Sequence, residues 1–584
     1  MSEKNSVAIG VYVCHCGTNI AGTVDVEAVA AAIREEPGVV LAKDYKFMCS
    51  DPGQEMLKKD IKEYNLDRLV VSACSPLMHE KTFRKAAAEA GLDPFLVQMA
   101  NIREHCSWVT KDKQQATPKA ISAVKAAVNR IRWARPLPIN TATVEPSTLI
   151  LGAGVAGIQA ALDIAEAGFN VYLVERQDHI GGHITMMDRV FPTLESVDEL
   201  LNPRIEKILQ NDRIQVLTRH EAVEVTGSVG DFTVKLKDLD MDGASVEKEL
   251  KVGTIILATG YDMYDLSQLT QFGYNRLDDV YTGLEFEQMT RQDGPTGGKI
   301  LKKNGQEPTS VAILHCIGSR DENHCQYCSR VCCMYSLKHA AIIKERTSAI
   351  TYNFYIDIRA FGKGHEEFYK KVGSQGARFI RGKVGQVTDL IDPELDEPEG
   401  SLIVIAEDTN LQQMIRVPVD MVILAGAMVP SETADRVQKM LRISKSTDRF
   451  FQERHPKLAP TETATDGIFL CGAAQAPKDI PESIAQASGA ASAALRLLEQ
   501  GEVELDPSVA VVNAAMCTGC KMCIEVCAYN AIGFNDRWNI AEINANLCKG
   551  CGTCAATCRA NAIESQHFTD KQIVFELMGL LSDG

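Results

Sequence analysis

The sequence predicts a multidomain α/β protein: an N-terminal parallel α/β domain, a central core of two dinucleotide-binding-type halves, and a C-terminal α+β domain. Three observations predict it. From residue 7 to about 106, short apolar runs alternate with helix-like stretches. Further on, the apolar run TLIL enters Gly152, Gly154 and Gly157 and leaves in a helical pattern. Near the C-terminus the spacing CxxCxxCxxxC occurs twice. With 584 residues the chain has room for about three or four domains. The expected boundaries are 1–135, 147–285, 286–425, 426–500 and 508–584, the second and fourth stretches forming one domain around the third.

Composition narrows the class. There are 61 basic and 77 acidic side chains and a formal net charge of −16, which argues against nucleic acid or an anionic membrane as partner. No apolar run reaches the roughly 18 residues that span a bilayer. The start, MSEKNSVAIG, lacks the charged and apolar regions of a signal peptide. The expected location is cytoplasmic. Nineteen Cys in such a chain point to metal ligation rather than disulfides, in a reducing, anaerobic setting.

In the first domain the runs VAIGVYV, KDYKFM, DRLVVSA and PFLVQMA alternate with DVEAVAAAIREE, PGQEMLKKDIKEY and HEKTFRKAAAEA. Strands alternating with helices imply a parallel sheet of βαβ units. Cys14, Cys16, Cys49, Cys74 and, slightly further along, Cys106 fall where these strands stop. The carboxyl ends of parallel strands share one edge, so the thiols are expected on one rim, where four would hold a 4Fe-4S cluster. The CHC spacing does not readily deliver both sulfurs to one cube. The expected ligands are therefore Cys14 or Cys16, with Cys49, Cys74 and Cys106.

A Pro-containing linker from Arg135 to Pro146 leads into STLILGAGVAGIQAALDIAEAGFNVYLVER. Strand, Gly152, Gly154, Gly157, helix and second strand ending at Glu175 occur in order. The glycines permit a tight turn and close approach to a pyrophosphate at the helix N-terminus, and the acid accepts from a ribose. Gly181 and Gly182 follow. TIILATGYD, with Thr259 and Gly260, and TDGIFLCGAA, with Gly472, sit where two-dinucleotide-domain flavoproteins return to their first domain. Over residues 147 to 500 the chain thus resembles the thioredoxin-reductase-like flavoproteins, which implies an FAD core of Rossmann type. That family ends its final motif in Gly-Asp; here Ala473 follows Gly472.

Such flavoproteins nest a second GxGxxG loop that receives NAD(P)H. Here the corresponding strand SVAILHC runs into CIGSRDENHCQYCSRVCC, so Cys316, Cys325, Cys328, Cys332 and Cys333 occupy the phosphate-binding position before the helix MYSLKHAAIIKER. A one-electron carrier replaces the hydride donor. The redox pair of a disulfide reductase is missing too, since ITMMDRV follows the paired glycines.

The terminal quartets are Cys517, Cys520, Cys523, Cys527 and Cys548, Cys551, Cys554, Cys558. They supply ligands for two 4Fe-4S clusters, whereas zinc sites use two pairs of ligands. In two-cluster ferredoxins the fourth Cys crosses to the other cluster, which joins Cys558 to the first trio and Cys527 to the second. The Pro usual after the fourth Cys is here Ala528 or Arg559.

Taken with VCHCGTNI, ACSPLMHEKTFR, the flavin fingerprint, CIGSRD and YCSRVCC, these quartets make the chain similar to the A-subunit family of heterodisulfide reductase over essentially its full length. The resemblance implies an FAD-dependent iron-sulfur oxidoreductase subunit whose flavin can bifurcate or confurcate electrons. Its partners would be subunits B and C, ferredoxin and an electron-input subunit, in a homodimer within a larger complex. ATGYDMYDLSQLTQFGYNRL runs on without Cys, the shorter form that lacks an inserted ferredoxin module. By motif, Cys316, Cys328, Cys332 and Cys333 would hold a flavin-proximal 4Fe-4S cluster, leaving Cys325 free. Lys338, five residues after Cys333, would be the lysine near the flavin. His15, His79, His315 and His324 are expected to be structural or to support a site from behind its ligands, since nothing pairs them with a nucleophile. Rival readings are a non-bifurcating electron conduit and a scaffold subunit.

Overall fold

The computed structural model describes residues 7–240 and 247–581; the first six residues of the MSEKNSVAIG start lie outside the described residues. The chain forms two compact units, one comprising the residues up to Thr141 with those from Glu504 onward, the other Ala142–Val503.

The N-terminal part runs β1 (Ile9–Cys14), α1 (Val26–Arg34), β2 (Val39–Tyr45), α2 (Asp51–Glu63), β3 (Arg68–Ala73), α3 (Pro76–Glu89), β4 (Val97–Asn101) and α4 (Lys113–Ile131). The four strands pair in parallel in the order β2-β1-β3-β4. Every residue of β1 is buried, as a parallel strand covered on both faces requires. Two helices start directly behind a cysteine. Ser50 accepts from Gly53 N and Ser75 from Leu77 N, and Pro52 and Pro76 preset the first turns. These caps hold Cys49 and Cys74 in the strand-to-helix turns.

The second unit contains the expected parallel α/β layers. Its first sheet has the strand order Ile468–Leu470, Thr254–Leu257, Ser147–Leu151, Asn170–Val174, Ile214–Leu217, all parallel. It is flanked by α5 (Val155–Glu166) and α6 (Val197–Leu209). A second parallel sheet is nested between its halves, in the order Val280–Thr282, Met421–Gly426, Ser310–Ile317, Ile350–Tyr355, Arg378–Arg381. With it come α7 (Gly283–Thr290), α8 (Cys332–Arg346) and α9 (His365–Ser374). The chain then passes α10 (Ala434–Leu441), returns to the first sheet through Ile468–Leu470 and lays α11 (Ile480–Gln500) against α5.

The C-terminal segment pairs Ala510–Val512 with Ile563–Ser565 and Ile532–Asn535 with Ile540–Ile543, and carries the short helices α12 (Met522–Glu525) and α13 (Thr553–Thr557). Its last helix, α14 (Asp570–Leu581), packs on α4. Arg130 joins Glu576 at 2.8 Å and donates to His567 O, while Trp133 stacks on Phe575. Among the described residues no helix is long and apolar enough to cross a membrane.

Close approach of α4 and α14 depends on Gly579, where a Cβ would come within 2.6 Å of Ala126 Cα. Gly579→Leu should therefore destabilise this unit by about 1–3 kcal/mol, read as a lowered thermal midpoint with earlier proteolytic release of α14. A protein that melts and digests like the unsubstituted chain would refute that packing.

Candidate functional site

All nineteen Cys are free thiols, and most gather in three constellations. In the N-terminal domain, β1 ends at Cys14, and Cys16 follows in a left-handed conformation (φ 47°) that turns its N–H onto Cys14 Sγ at 3.3 Å. Met48 N donates to the same sulfur at 3.5 Å. Burial raises the Cys14 thiol, and Cys16 and Cys49 add to the rise. Cys74 is pushed up to about 11 by burial; Arg103 opposes this, while Cys16 and Cys14 add to it. Cys14, Cys16, Cys49 and Cys74 therefore share one electrostatic neighbourhood. Arg103 Nη1 reaches Cys16 Sγ at 3.4 Å and is held by Glu104 at 2.7 Å and by the face of Trp108.

Cys106 does not join them. It is 1% exposed, its thiol donates to Ala116 O at 3.1 Å, and burial and Lys119 govern its titration, with no contribution from another cysteine. The sequence reading groups Cys106 with Cys49, Cys74 and one of Cys14 and Cys16; in the structure its thiol is turned inward to Ala116 O. The turn at Arg103–Ser107 carries Cys106 inward against α4, and the left-handed Cys16 brings both sulfurs of CHC to the rim.

The second constellation sits between Ser310–Ile317 and α8. Cys316 has φ 59°, where the strand register slips. Cys332 and Cys333 open α8 and are buried. Cys332 lies against both neighbours: its contact draws Cys316 down to about 7 and Cys333 to about 4, while the same contacts push its own pKa up. Arg320, paired with Asp357 at 3.0 Å, faces Cys316 and Cys328. Cys325 turns away toward Tyr264 and Tyr327, whose titration it raises. His315, expected to be structural or to support a site, lies against Cys333 and hydrogen-bonds Asn353 Oδ1 at 3.2 Å.

In the third, Cys523 lies in the field of Cys517, Cys520 and Cys558, and Cys554 in that of Cys548, Cys551 and Cys527. Each of these two cysteines thus has as neighbours two sulfurs of its own motif and one of the other. The turns after the fourth Cys are alike: Ala531 N and Ala562 N donate to Cys527 and Cys558 Sγ at 3.3 and 3.2 Å, and Asn530 and Asn561 take left-handed φ. Ala528 and Arg559 do not disturb them. Among the described residues no three His, Cys, Asp or Glu groups converge on a single metal ion.

Beside the second constellation lies a cavity of about 500 Å³, lined by Gly152, Gly154, Glu175, Gly182, Tyr335 and Lys338 among others. Gly152 adopts φ 102°, and a Cβ there would meet Ala258 O at 2.3 Å. A Cβ on Gly154 would have nothing nearer than Gly181 O at 3.9 Å, so the cavity reaches its backbone. Ala153 N and Gln177 N, each 2.9 Å away, hold the two oxygens of Glu175. Thr259, Gly260 and Gly181 also line the wall, and Thr259 Oγ1 is buried without a hydrogen-bond partner. Gly157 faces inward on α5, where a Cβ would strike Gly152 O at 1.9 Å, and Gly472, beside the lining Ala473, would meet Ala156 Cβ at 2.8 Å. An open glycine cradle, a fixed acid and an orphaned hydroxyl fit a dinucleotide such as FAD.

Lys338 enters this cavity from α8, 2% exposed, paired to Glu287 at 2.5 Å and donating to Arg189 O at 2.7 Å. His339 also reaches Glu287, at 2.6 Å. Burial alone would raise Glu287, but Lys338 and His339 hold it down at about 2. Sequence reasoning missed Glu287 and Arg103, since nothing in the spacing of a lone acid or Arg announces a distant partner.

Residues 146–291 match the family model "Pyridine nucleotide-disulphide oxidoreductase" and residues 516–562 the model "4Fe-4S dicluster domain". The chain is 43% identical to the A-subunit of the H(2):CoB-CoM heterodisulfide,ferredoxin reductase of Methanothermobacter marburgensis, covering 98% of this chain and 97% of that one. It is 40% identical to the iron-sulfur A-subunit of the CoB–CoM heterodisulfide reductase of Methanocaldococcus jannaschii, covering 99% of each. The first alignment spans 652 residues against the 584 of this chain, so that relative carries a segment without counterpart here. A thioredoxin reductase structure from T. acidophilum aligns with 60% of this chain and 99% of its own at 14% identity and a TM-score of 0.41.

Removing one partner of a buried ion pair strands the other charge. Glu287→Ala should cost about 3–5 kcal/mol of stability by leaving Lys338 unpaired, measured by denaturant unfolding. A loss below about 1 kcal/mol would show that Lys338 finds water or another acceptor.

Proposed function

This chain belongs to the A-subunit family of heterodisulfide reductase, and we propose that it bifurcates or confurcates electrons among a donor subunit, low-potential ferredoxin and a high-potential acceptor subunit. It is an oxidoreductase of the FAD and 4Fe-4S type. The observation that supports pair-splitting is the Cys-rich loop in the position of a nucleotide loop. Val331, Tyr335 and Lys338, from that loop and the helix behind it, line the same cavity as Gly154 and Glu175, so a one-electron site adjoins the flavin where a hydride donor would otherwise bind.

FAD, when bound, supplies the exchange between electron pairs and single electrons. The protein's part is positional. The Gly152–Gly157 turn and the N-terminus of α5 receive the pyrophosphate, Glu175 the ribose, and Gly181, Gly182, Thr259, Gly260 and Gly472 shape the wall. Lys338, whose charge Glu287 already balances, contributes a fixed hydrogen-bond donor rather than net charge. Four 4Fe-4S sites are assigned. Cys14, Cys16, Cys49 and Cys74 form one; Cys316, Cys328, Cys332 and Cys333 another, with Cys325 outside it. The terminal pair crosses, Cys517, Cys520, Cys523 with Cys558, and Cys548, Cys551, Cys554 with Cys527. The partners are subunits B and C, ferredoxin and an electron-input subunit, in a homodimer within a larger cytoplasmic complex.

Moving an electron uphill by roughly 100 mV costs about 2.3 kcal/mol, which only a coupled downhill electron can offset. In the intact complex, ferredoxin reduction should stop when the high-potential acceptor is withheld, and Cys332→Ser should abolish coupled turnover with FAD retained. Ferredoxin reduction that persists without the acceptor would identify a simple conduit.

The N-terminal ligand set makes a separate prediction. Cys74→Ala or Cys16→Ala should remove about four irons per chain and spare FAD, whereas Cys106→Ala should leave the iron content unchanged. Iron lost with Cys106 and kept without Cys16 would restore the ligand set expected from the sequence.

A further inference from the structure

We propose that Lys478 is the charge partner of the flavin ring, facing the pyrimidine edge on which negative charge develops when FAD is reduced. It lines the cavity together with Ala473, Asp479 and Ser483, in the segment between the returning strand Ile468–Leu470 and α11.

Five Lys and Arg side chains line this cavity: Arg176, Arg189, Lys338, Arg436 and Lys478. Four are balanced. Arg176 pairs with Glu432 at 3.0 Å, Arg189 with Glu345 at 2.8 Å, Lys338 with Glu287 at 2.5 Å, and Arg436 with Glu221. Among the described residues Lys478 has no carboxylate within ion-pair distance. Its Nζ donates to the neutral oxygens Gln475 Oε1 and Ala476 O. The acids nearest to it serve other groups: Glu482 accepts from Arg330 at 2.7 Å and Glu453 from Gln475 Nε2 at 2.8 Å. Burial and the neighbouring Arg330 lower its pKa to about 8, against a smaller opposing pull from Glu482, Glu453 and Cys471, none of them in ion-pair contact with it. An anion brought to this wall would relieve the cost of that burial.

FAD offers two anionic regions, the pyrophosphate and the reduced ring. The pyrophosphate has its own cradle in Gly152–Gly157 and the N-terminus of α5. Lys478 belongs to the other end, next to the Cys-rich loop. Arg330, which lies between Cys328 and Cys332, donates to Pro477 O at 3.4 Å and to Glu482 on α11. The N-terminus of α11 lies at the same point, its dipole met by the capping Asp479 and by Glu482 in its first turn. Ala473 carries no charge to compete.

This rests on FAD occupying the cavity as inferred above, and the full-length chain loaded with FAD tests both. Sulfite is the probe: its sulfur lone pair bonds to flavin N5, and the ring takes up the resulting negative charge at N1 and C2=O. Lys478→Met should keep its FAD, weaken sulfite binding at least tenfold, about 1.4 kcal/mol, and lower the two-electron potential by the equivalent of about 30 mV or more. Lys478→Arg should restore both, and Lys478→Gln replaces the Met variant if that fails to fold. If the unsubstituted protein binds no sulfite, the potential alone decides. Loss of FAD affinity with the potential unchanged would assign Lys478 to the pyrophosphate and overturn the ring assignment. No change in any readout would overturn it as well. Failure of the unsubstituted chain to bind FAD would refute the flavin reading itself.

Discussion

A sheet wound from parallel βαβ units sends the carboxyl end of every strand to one edge, and every chemical group of this chain outside the C-terminal quartets depends on such an edge. In the N-terminal domain β1 ends in Cys14, and Cys49 and Cys74 lie in the turns that follow β2 and β3. In the flavin-type sheet, strands end at Gly152, Glu175, Thr259 and Gly472 or just before them. In the nested sheet the strand Ser310–Ile317 carries Cys316 at its end. Residues hundreds of positions apart thus share a rim without any long loop to bring them there.

Charge then separates the roles of groups on the same rim. Lys338 and Lys478 line one cavity, yet one is neutralised at 2.5 Å by Glu287 and the other meets only neutral oxygens. A buried balanced pair fixes geometry, whereas a cation without a counter-ion favours whatever anion can reach it. Arg330 connects these features mechanically, since it lies between two cysteines of the loop and anchors on Pro477 and Glu482.

Local backbone does the finer placement. Cys16, Cys316 and Arg330 hold left-handed conformations that side-chain-bearing residues rarely adopt, at a cost of about 1–3 kcal/mol each. The return is orientation: Cys16 N turns onto Cys14 Sγ and Arg330 N onto Cys328 Sγ, both at 3.3 Å. Backbone donors aimed at sulfur favour the thiolate, the form that binds metal.

Much of the fold was legible because its signals are local. The strand-glycine-helix order at Gly152, the alternation of the first domain and the repeated CxxCxxCxxxC each confine their information to a short window, and the parallel sheets and the dicluster segment match them. Which cysteine joins which group was legible only where the motif carried its own geometry. The terminal quartets could be grouped from spacing, and the structure sets Cys558 near Cys523 and Cys527 near Cys554. The N-terminal group could not, because whether Cys106 faces the rim or α4 depends on a turn and on the packing of Ala116, and whether Cys14 and Cys16 can act together depends on one φ angle. Ion pairing was beyond the sequence altogether: Glu287 lies 51 positions from Lys338 and Glu482 lies 152 from Arg330. The sequence by itself thus determined the elements, the nucleotide-type turns and the supply of thiols. The tertiary structure decided which thiols share a neighbourhood and which lysine is left without a counter-ion, because those depend on distances that only the packed chain sets.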